Sequence, residues 1–399
     1  MTDPLFDDVL RRNTEPASHE ESTFQFLNRA AGPFWDRVRL STENWYQRMH
    51  PEGRGDLRNR FRSKDSLSTL AAYWEIYLHE ALLRHGYDVT VHPEISGSER
   101  APDFLAQSGE SSFYLEATCF FGKERKSGEE RRHNRLYDAI NQLWNPNFHV
   151  WLDIENEGGS SPPGAPLRSA LDDWLSSLDP DEVNASYDPG SMLDLPSFTW
   201  ERMGWTVSFW AIPIKPEARG RPDSKLIGVY GTGEARFIDD RTPIRSRLGT
   251  KARRYGELDR PFVIALSCHA LFVDQISITD SLYGDEAVQY SPDAGGEFET
   301  KSIRHQNGFW RGPEGPRNRR VSAILVGWNV APWSVIETTP VIWHHPFANR
   351  PLDAELVFPS QRLDLGRGHL VEVQETRSMH EFFELPRDWP GPEEAFPDD

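Results

Sequence analysis

Residues 71–118 read AAYWEIYLHEALLRHGYDVTVHPEISGSERAPDFLAQSGESSFYLEAT, and three changes of pattern within them decide the fold. The stretch from residue 66 to 85 places Leu70, Trp74, Tyr77, Leu78, Ala81 and Leu82 on one broad apolar face at helical spacing. Ser66 or Ser68 is positioned to cap its start, and Gly86 follows as the glycine just past its end. Glu80 and Arg84 project opposite that face, and Glu75 falls at its rim, where an acid needs a partner. Three strands follow, over 88–95, 103–106 and 112–120, the last two joined by the hairpin signal QSGES. In the third strand Phe113, Leu115 and Ala117 face one way, and Tyr114, Glu116 and Thr118 the other. Asp103 opens the middle strand directly after Pro102, a residue tolerated at a strand start.

Working outward, the same alternation of helix and apolar strand recurs. A helix over 129–144 precedes a strand over 148–154, and a helix over 167–178 follows. Strands are expected at 205–214 and 225–230. A basic helix over 243–255 precedes a wholly apolar strand at 262–267 that is able to join the same sheet. Helical spacing returns over 271–283, residues 287–320 read as loop, and a strand is expected at 321–328. Residues 179–203 read as a long connection. The fold class that results is α/β, with a mixed central sheet flanked by helices. The expected divisions are an N-terminal helical region with a disordered start (1–65), an α/β core with insertions (66–285), an αβ extension packed on it (286–383) and an acidic disordered tail (384–399).

Composition bounds the function. The 399 residues carry 14 Trp, 22 Phe and 11 Tyr, enough apolar surface for a large core. A formal charge of −18 excludes a protein-wide positive field, so phosphate contacts must come from local patches. Two cysteines, Cys119 and Cys268, exclude a disulfide framework and point to a reducing, cytoplasmic setting. No apolar run reaches membrane-spanning length, and the start MTDPLFDDVL has no signal-peptide pattern. The pair His344-His345, with His369 and His380, lacks metal-ligand spacing, and GVYGTGEA reads as a turn.

The order helix acid, Pro-Asp, hairpin and acid on the next strand resembles the PD-(D/E)xK, or restriction-endonuclease-like, nuclease superfamily. The resemblance spans residues 66–154 and rests on Glu75 in YWEIYL, Pro102-Asp103 in APDFLA and Glu116 in YLEAT, followed by a helix and a strand. It implies a restriction-endonuclease-like core and a Mg2+-dependent (or Mn2+-dependent) nuclease, a hydrolase acting on DNA, with a role in bacterial defence or restriction within its range. Asp103 and Glu116 would then bind the metal, and Glu75 would hold a water or a second ligand. Hard carboxylate oxygens suit such a cation, which keeps several waters of its own. Thr118 stands where the family carries the lysine that handles the attacking water. A cation from elsewhere is required, and the chain has only seven lysines. Lys251 ranks first because its helix precedes the apolar 262–267 strand; Lys123 and Lys126, just past the third strand, rank behind it.

Nucleic acid is the implied partner. Residues 241–260 hold Arg241, Arg245, Arg247, Lys251, Arg253, Arg254 and Arg260 against Glu257 and Asp259. Arg125, Arg131, Arg132 and Arg135 form a second basic group, and Arg54, Arg58, Arg60, Arg62 and Lys64 a third. The alternative is a nuclease-fold protein without catalysis that binds nucleic acid or a protein partner.

Overall fold

The computed structural model describes residues 3–122, 127–186, 195–220, 225–230, 240–270, 273–292, 298–364, 369–373 and 377–396. The chain divides into two compact units. One comprises Met1–Pro16, Ser22–Lys123 and Asp239–Asp399; the other comprises Ala17–Glu21 and Glu124–Ile238.

The first unit is built on an eight-stranded mixed sheet. Its strand order is Asp88–Val91, Phe104–Ser108, Ser111–Phe120, Phe262–Cys268, Ala323–Trp328, Val341–His344, Ser360–Asp364 and His369–Val373. The first three strands form an antiparallel meander. Its second hairpin turns at Gly109, whose positive φ of 56° suits the tight connection between Ser108 and Ser111. Phe262–Cys268 then lies parallel to Ser111–Phe120, with Glu116 opposite Ile264, and Ala323–Trp328 continues in parallel.

Helices cover both faces of this sheet. On one face, Ile244, Leu248 and Ala252 of the helix Arg241–Ala252, with Ile278 and Leu282 of the helix Gln275–Tyr283, pack on Ile264, Leu266, Ile324 and Val326. On the other lies the helix Ser66–Arg84. Trp74 donates its indole N–H to the Ala265 carbonyl at 3.0 Å and rests against the bare backbone of Gly327.

The sequence reading holds for the first helix and the three-strand meander and needs correction around them. Asp65, not Ser66 or Ser68, caps the helix, accepting from the Leu67 and Ser68 amides at 3.2 Å each. Glu80 does not face water: it is fully buried, because the helices Pro33–Arg48 and Pro51–Phe61 roof the outer side, and it accepts from Arg48 at 2.7 Å and Arg84 at 2.6 Å. The helix and strand expected to complete the core at 129–154 lie in the second unit instead. The helix and parallel strand that pack beside the meander in the first unit are Arg241–Ala252 and Phe262–Cys268. The two helix–strand pairs carry the same pattern, and loop closure costs grow only slowly with length, so the distant pair is not penalised.

Further corrections concern the ends and loops. Residues 286–383 are no extension: four of their strands complete the central sheet. Within the expected loop 287–320, Glu286–Pro292 and Phe298–Arg304 form an antiparallel pair. The starting segment is packed, with Leu5 fully buried. Arg58 donates to the Pro4 carbonyl at 2.7 Å, and Arg62 to the Leu5 carbonyl at 2.9 Å and to Asp7 at 2.7 Å. Arg58 and Arg62 of that cluster are thus spent on holding the chain start, and Arg54 on the Gln47 and Met49 carbonyls. The tail expected to be disordered is also ordered as far as residue 396: Trp389 is buried, Ala395 accepts from the Trp35 indole at 2.9 Å, and Arg37 pairs with Glu393.

The second unit has its own four-stranded sheet, ordered Ser197–Arg202, Trp205–Pro213, Phe148–Asn156 and Ile227–Tyr230. Leu136 and Ile140 of the helix Ser127–Asn141, with Leu167, Leu171 and Leu175 of the helix Gly164–Ser176, share its core with Phe148, Val150, Val207 and Phe209. The connection expected over 179–203 contains the helix Pro180–Ser186 and the first of these strands. No helix among the described residues is long and apolar enough to cross a membrane.

The contact at Gly327 yields a stability test. A Cβ there would come within 3.0 Å of the Trp74 ring and 2.8 Å of Val330. Gly327→Ala should therefore destabilise the protein by about 1–3 kcal/mol through overpacking, read as a fall in the chemical-denaturation midpoint. An unchanged midpoint would show that this helix does not press on the sheet.

Candidate active site

Glu116 sits mid-strand with its side chain 1% exposed, on the face that meets the helix Arg241–Ala252. A carboxylate so placed must be compensated, and the compensation comes from that helix and the turn after it. Lys251 Nζ donates to Glu116 Oε1 at 2.5 Å and to the Ala117 carbonyl at 3.2 Å. Arg254 donates to the same Oε1 at 3.0 Å. The Tyr255 hydroxyl donates to Oε2 in a short contact and also lies 3.0 Å from the Ala101 carbonyl. Tyr255 thereby links Glu116 to the backbone just before Pro102 and Asp103.

Asp103 immediately precedes the strand Phe104–Ser108, whose first residue pairs with Leu115. That register brings Asp103 alongside Glu116. Its Oδ2 accepts from the Ala117 amide at 2.7 Å, and its Oδ1 has no hydrogen-bond partner among the described residues. Burial, reinforced by the negative charges of Glu116 and Glu75, pushes the Asp103 carboxyl up to about 8, against the opposing pull of the Ala117 N–H and Lys251.

The structure thus brings Asp103, Glu116 and Lys251 together. Glu75 comes from the helix on the opposite face of the sheet and contributes charge to the Asp103 environment, but its own carboxylate is taken by Arg60. Two guanidinium nitrogens donate to its two oxygens, at 2.7 Å each. No residue of the third strand supplies a cation, and Thr118 is buried beside the Lys251 contact. Lys123 and Lys126 lie outside the described residues.

Tyr255 is a site residue the sequence reading did not single out, and Arg254, expected in the phosphate-facing group beside Lys251, bonds Glu116 instead. Both lie within KARRY, at positions 251–255, and the tyrosine ending a basic run was the signal available. The other candidates resolve differently. Arg241 bonds Asp280 at 3.1 Å and Arg245 bonds Asp285 at 2.5 Å, which removes both from a phosphate-facing patch. The side chains of Arg247 and Arg253 have no hydrogen-bond partner or ion pair among the described residues. Arg132 pairs with Glu157 at 2.6 Å and Arg135 with Glu20 at 2.7 Å, while Arg125 lies outside the described residues. Cys119 and Cys268 are free and buried, their thiols pushed up by burial to about 12 and about 11. His344 and His345 are lowered by burial to about 4, and His345 bonds the Arg317 carbonyl.

Among the described residues, no cluster of three or more His, Cys, Asp or Glu side chains is arranged to hold a metal ion. The donor set that remains, Asp103, whose Oδ1 has no hydrogen-bond partner among the described residues, and Glu116, still fits a hard divalent cation. Such ions take one or two carboxylates and complete their shell with water and substrate oxygens. Comparison of the chain with protein-family models, curated proteins and solved structures found no match.

The raised Asp103 carboxyl gives a pH prediction. Its ordinary value is 3.8 and its folded value about 8, so the folded state keeps a proton that the unfolded chain releases. The stability tied to that proton is complete below about pH 4 and is lost as pH rises towards about 8. Asp103→Asn retains an oxygen for the Ala117 N–H and cannot ionise. Its melting temperature relative to wild type should climb steadily across that window in metal-free buffer. A constant difference across the window would contradict the assigned cause.

Proposed function

We propose that this chain is a divalent-metal-dependent nuclease with a restriction-endonuclease-like core, acting on DNA, in which Lys251 stands in for the lysine missing at Thr118. The observation that carries the reading is the placement of Lys251 Nζ at Glu116 Oε1 and the Ala117 carbonyl, next to the strand position where the family lysine would arise. The element order supports it: a helix, three antiparallel strands, a second helix on the other face and a parallel strand.

In this reading Asp103 and Glu116 hold a Mg2+ or Mn2+ ion, which when bound supplies a polarised water and offsets charge on the leaving oxygen. The remaining work falls to the chain's own groups. Lys251 fixes the Glu116 carboxylate and presents its remaining N–H to the attacking water. Arg247, Lys251 and Arg254 follow i, i+4, i+7 spacing, which aligns three cations on one side of their helix and turn to meet a phosphate. Glu75 keeps a supporting role through its charge beside Asp103.

A second reading, a nuclease-fold binding module without cleavage, draws on the full engagement of Glu116 by Lys251, Arg254 and Tyr255 and of Glu75 by Arg60. Cleavage assays separate the two. With Mg2+ or Mn2+ the wild type should cut a single- or double-stranded DNA substrate. Asp103→Asn and Glu116→Gln should abolish cutting, and Lys251→Ala should slow it by about 10²–10⁴-fold, all three remaining folded by circular dichroism. No cutting of DNA or RNA across a range of metal concentrations, with nucleic-acid binding unaffected by Asp103→Asn, would favour the binding module.

A further inference from the structure

Glu116 carries more positive charge than it needs. Lys251 is held at two points, Glu116 Oε1 and the Ala117 carbonyl, and its side chain is 18% exposed. Arg254 shares the same oxygen through one hydrogen bond at 3.0 Å, its side chain is 43% exposed, and its one further side-chain contact given among the described residues is loose, 5.9 Å above the Tyr255 ring. A carboxylate oxygen has two lone pairs, so Lys251 and Arg254 together fill Oε1. Tyr255 takes one site on Oε2. The oxygen nearest to free in the acid pair is then Asp103 Oδ1, which has no hydrogen-bond partner among the described residues.

A divalent cation entering between these carboxylates meets two fixed obstacles, an occupied Oε1 and two neighbouring positive charges. Lys251 cannot retreat without abandoning a buried carboxylate and a backbone carbonyl. Arg254 can, because Lys251 and Tyr255 stay on the buried carboxylate when it leaves and its own guanidinium reaches solvent on a flexible stem. What would draw it away is a competing oxyanion, and a planar guanidinium matches phosphate oxygens well.

We propose that Arg254 is a phosphate-released latch: in the free protein it occupies Glu116 Oε1 and holds the site closed to the metal, and a phosphodiester group pulls it away and opens that oxygen. Metal and phosphate then bind with positive coupling, and each raises the affinity of the other by the same factor. The latch rests on the metal-site reading above and adds the order of loading to it, since an empty protein keeps its metal site shut until substrate is present. It also gives Arg254 a sign opposite to that of a metal-site residue, because its removal should strengthen metal binding.

The test is calorimetric titration of Mn2+ into the full chain, alone and with saturating dimethyl phosphate, for the wild type, Arg254→Ala, Arg254→Gln and Asp103→Asn. Without the diester, both Arg254 variants should bind Mn2+ roughly tenfold more tightly than the wild type, the loss of one cation beside the site. The diester should tighten Mn2+ binding to the wild type by clearly more than to the Arg254 variants, in which only its direct contact with the metal remains, and Asp103→Asn should abolish binding in every case. Equal or weaker Mn2+ binding by the Arg254 variants overturns the latch and leaves the metal site standing. Diester enhancement of equal size in the wild type and those variants also overturns it. Absence of Mn2+ binding in the wild type and the Arg254 variants alike, or binding that survives Asp103→Asn, overturns the metal site itself and the latch with it.

Discussion

A carboxylate in the middle of a buried strand is the constraint around which the first unit is arranged. Glu116 is 1% exposed, and an uncompensated charge at that depth would cost several kcal/mol. Its three donors all come from residues 251–255, at the end of a helix that reaches the strand only after the chain has built the second unit. The ion pairs therefore do more than neutralise a charge. They tie the end of that helix to the third strand, while Ile244, Leu248 and Ala252 bury its apolar side on the same sheet face. Replacing such a network with apolar side chains is often neutral or stabilising, so its presence in a core that could have been hydrophobic is better explained by a use for the charge than by stability.

The same compensation shapes Asp103. The Tyr255 hydroxyl donates to Glu116, the Ala117 amide donates to Asp103 Oδ2, and the Asp103–Glu116 strand register sets the two acids side by side. Asp103 Oδ1 has no hydrogen-bond partner among the described residues. A second acid held on the paired strand distinguishes this site from Glu80, whose Oε1 takes both Arg48 and Arg84.

Much of this was legible in the sequence where the signal is local. The helical spacing of Leu70, Trp74, Tyr77 and Leu78, the QSGES turn and the alternation in FYLEAT specify the helix, the hairpin and the face of Glu116, because each depends on neighbours within a few residues. Lys251 could be picked because an apolar strand, 262–267, follows a basic helix, a pattern that implies adjacency to the sheet. Partner choice was not legible. The helix and strand within 127–156 match that pattern equally well, and only tertiary packing assigns them to a different sheet. Arg60 reaching Glu75 from a separate helix, Arg58 and Arg62 clamping the chain start, and Trp389 burying in an acidic, proline-rich end are likewise contacts between residues distant in sequence. Composition reads such segments as solvated because it counts charges without their partners.

The central claim is that Asp103 and Glu116 form one cation site. Anomalous diffraction from crystals soaked in Mn2+ together with a non-cleavable phosphodiester tests it most directly. A single manganese peak within roughly 2.2 Å of Asp103 Oδ1 and of one Glu116 oxygen is predicted. Arg254 should then have left Glu116, with Lys251 still in place. Crystals that show the diester bound but no manganese between the two carboxylates, with Arg254 still on Glu116 Oε1, would contradict it.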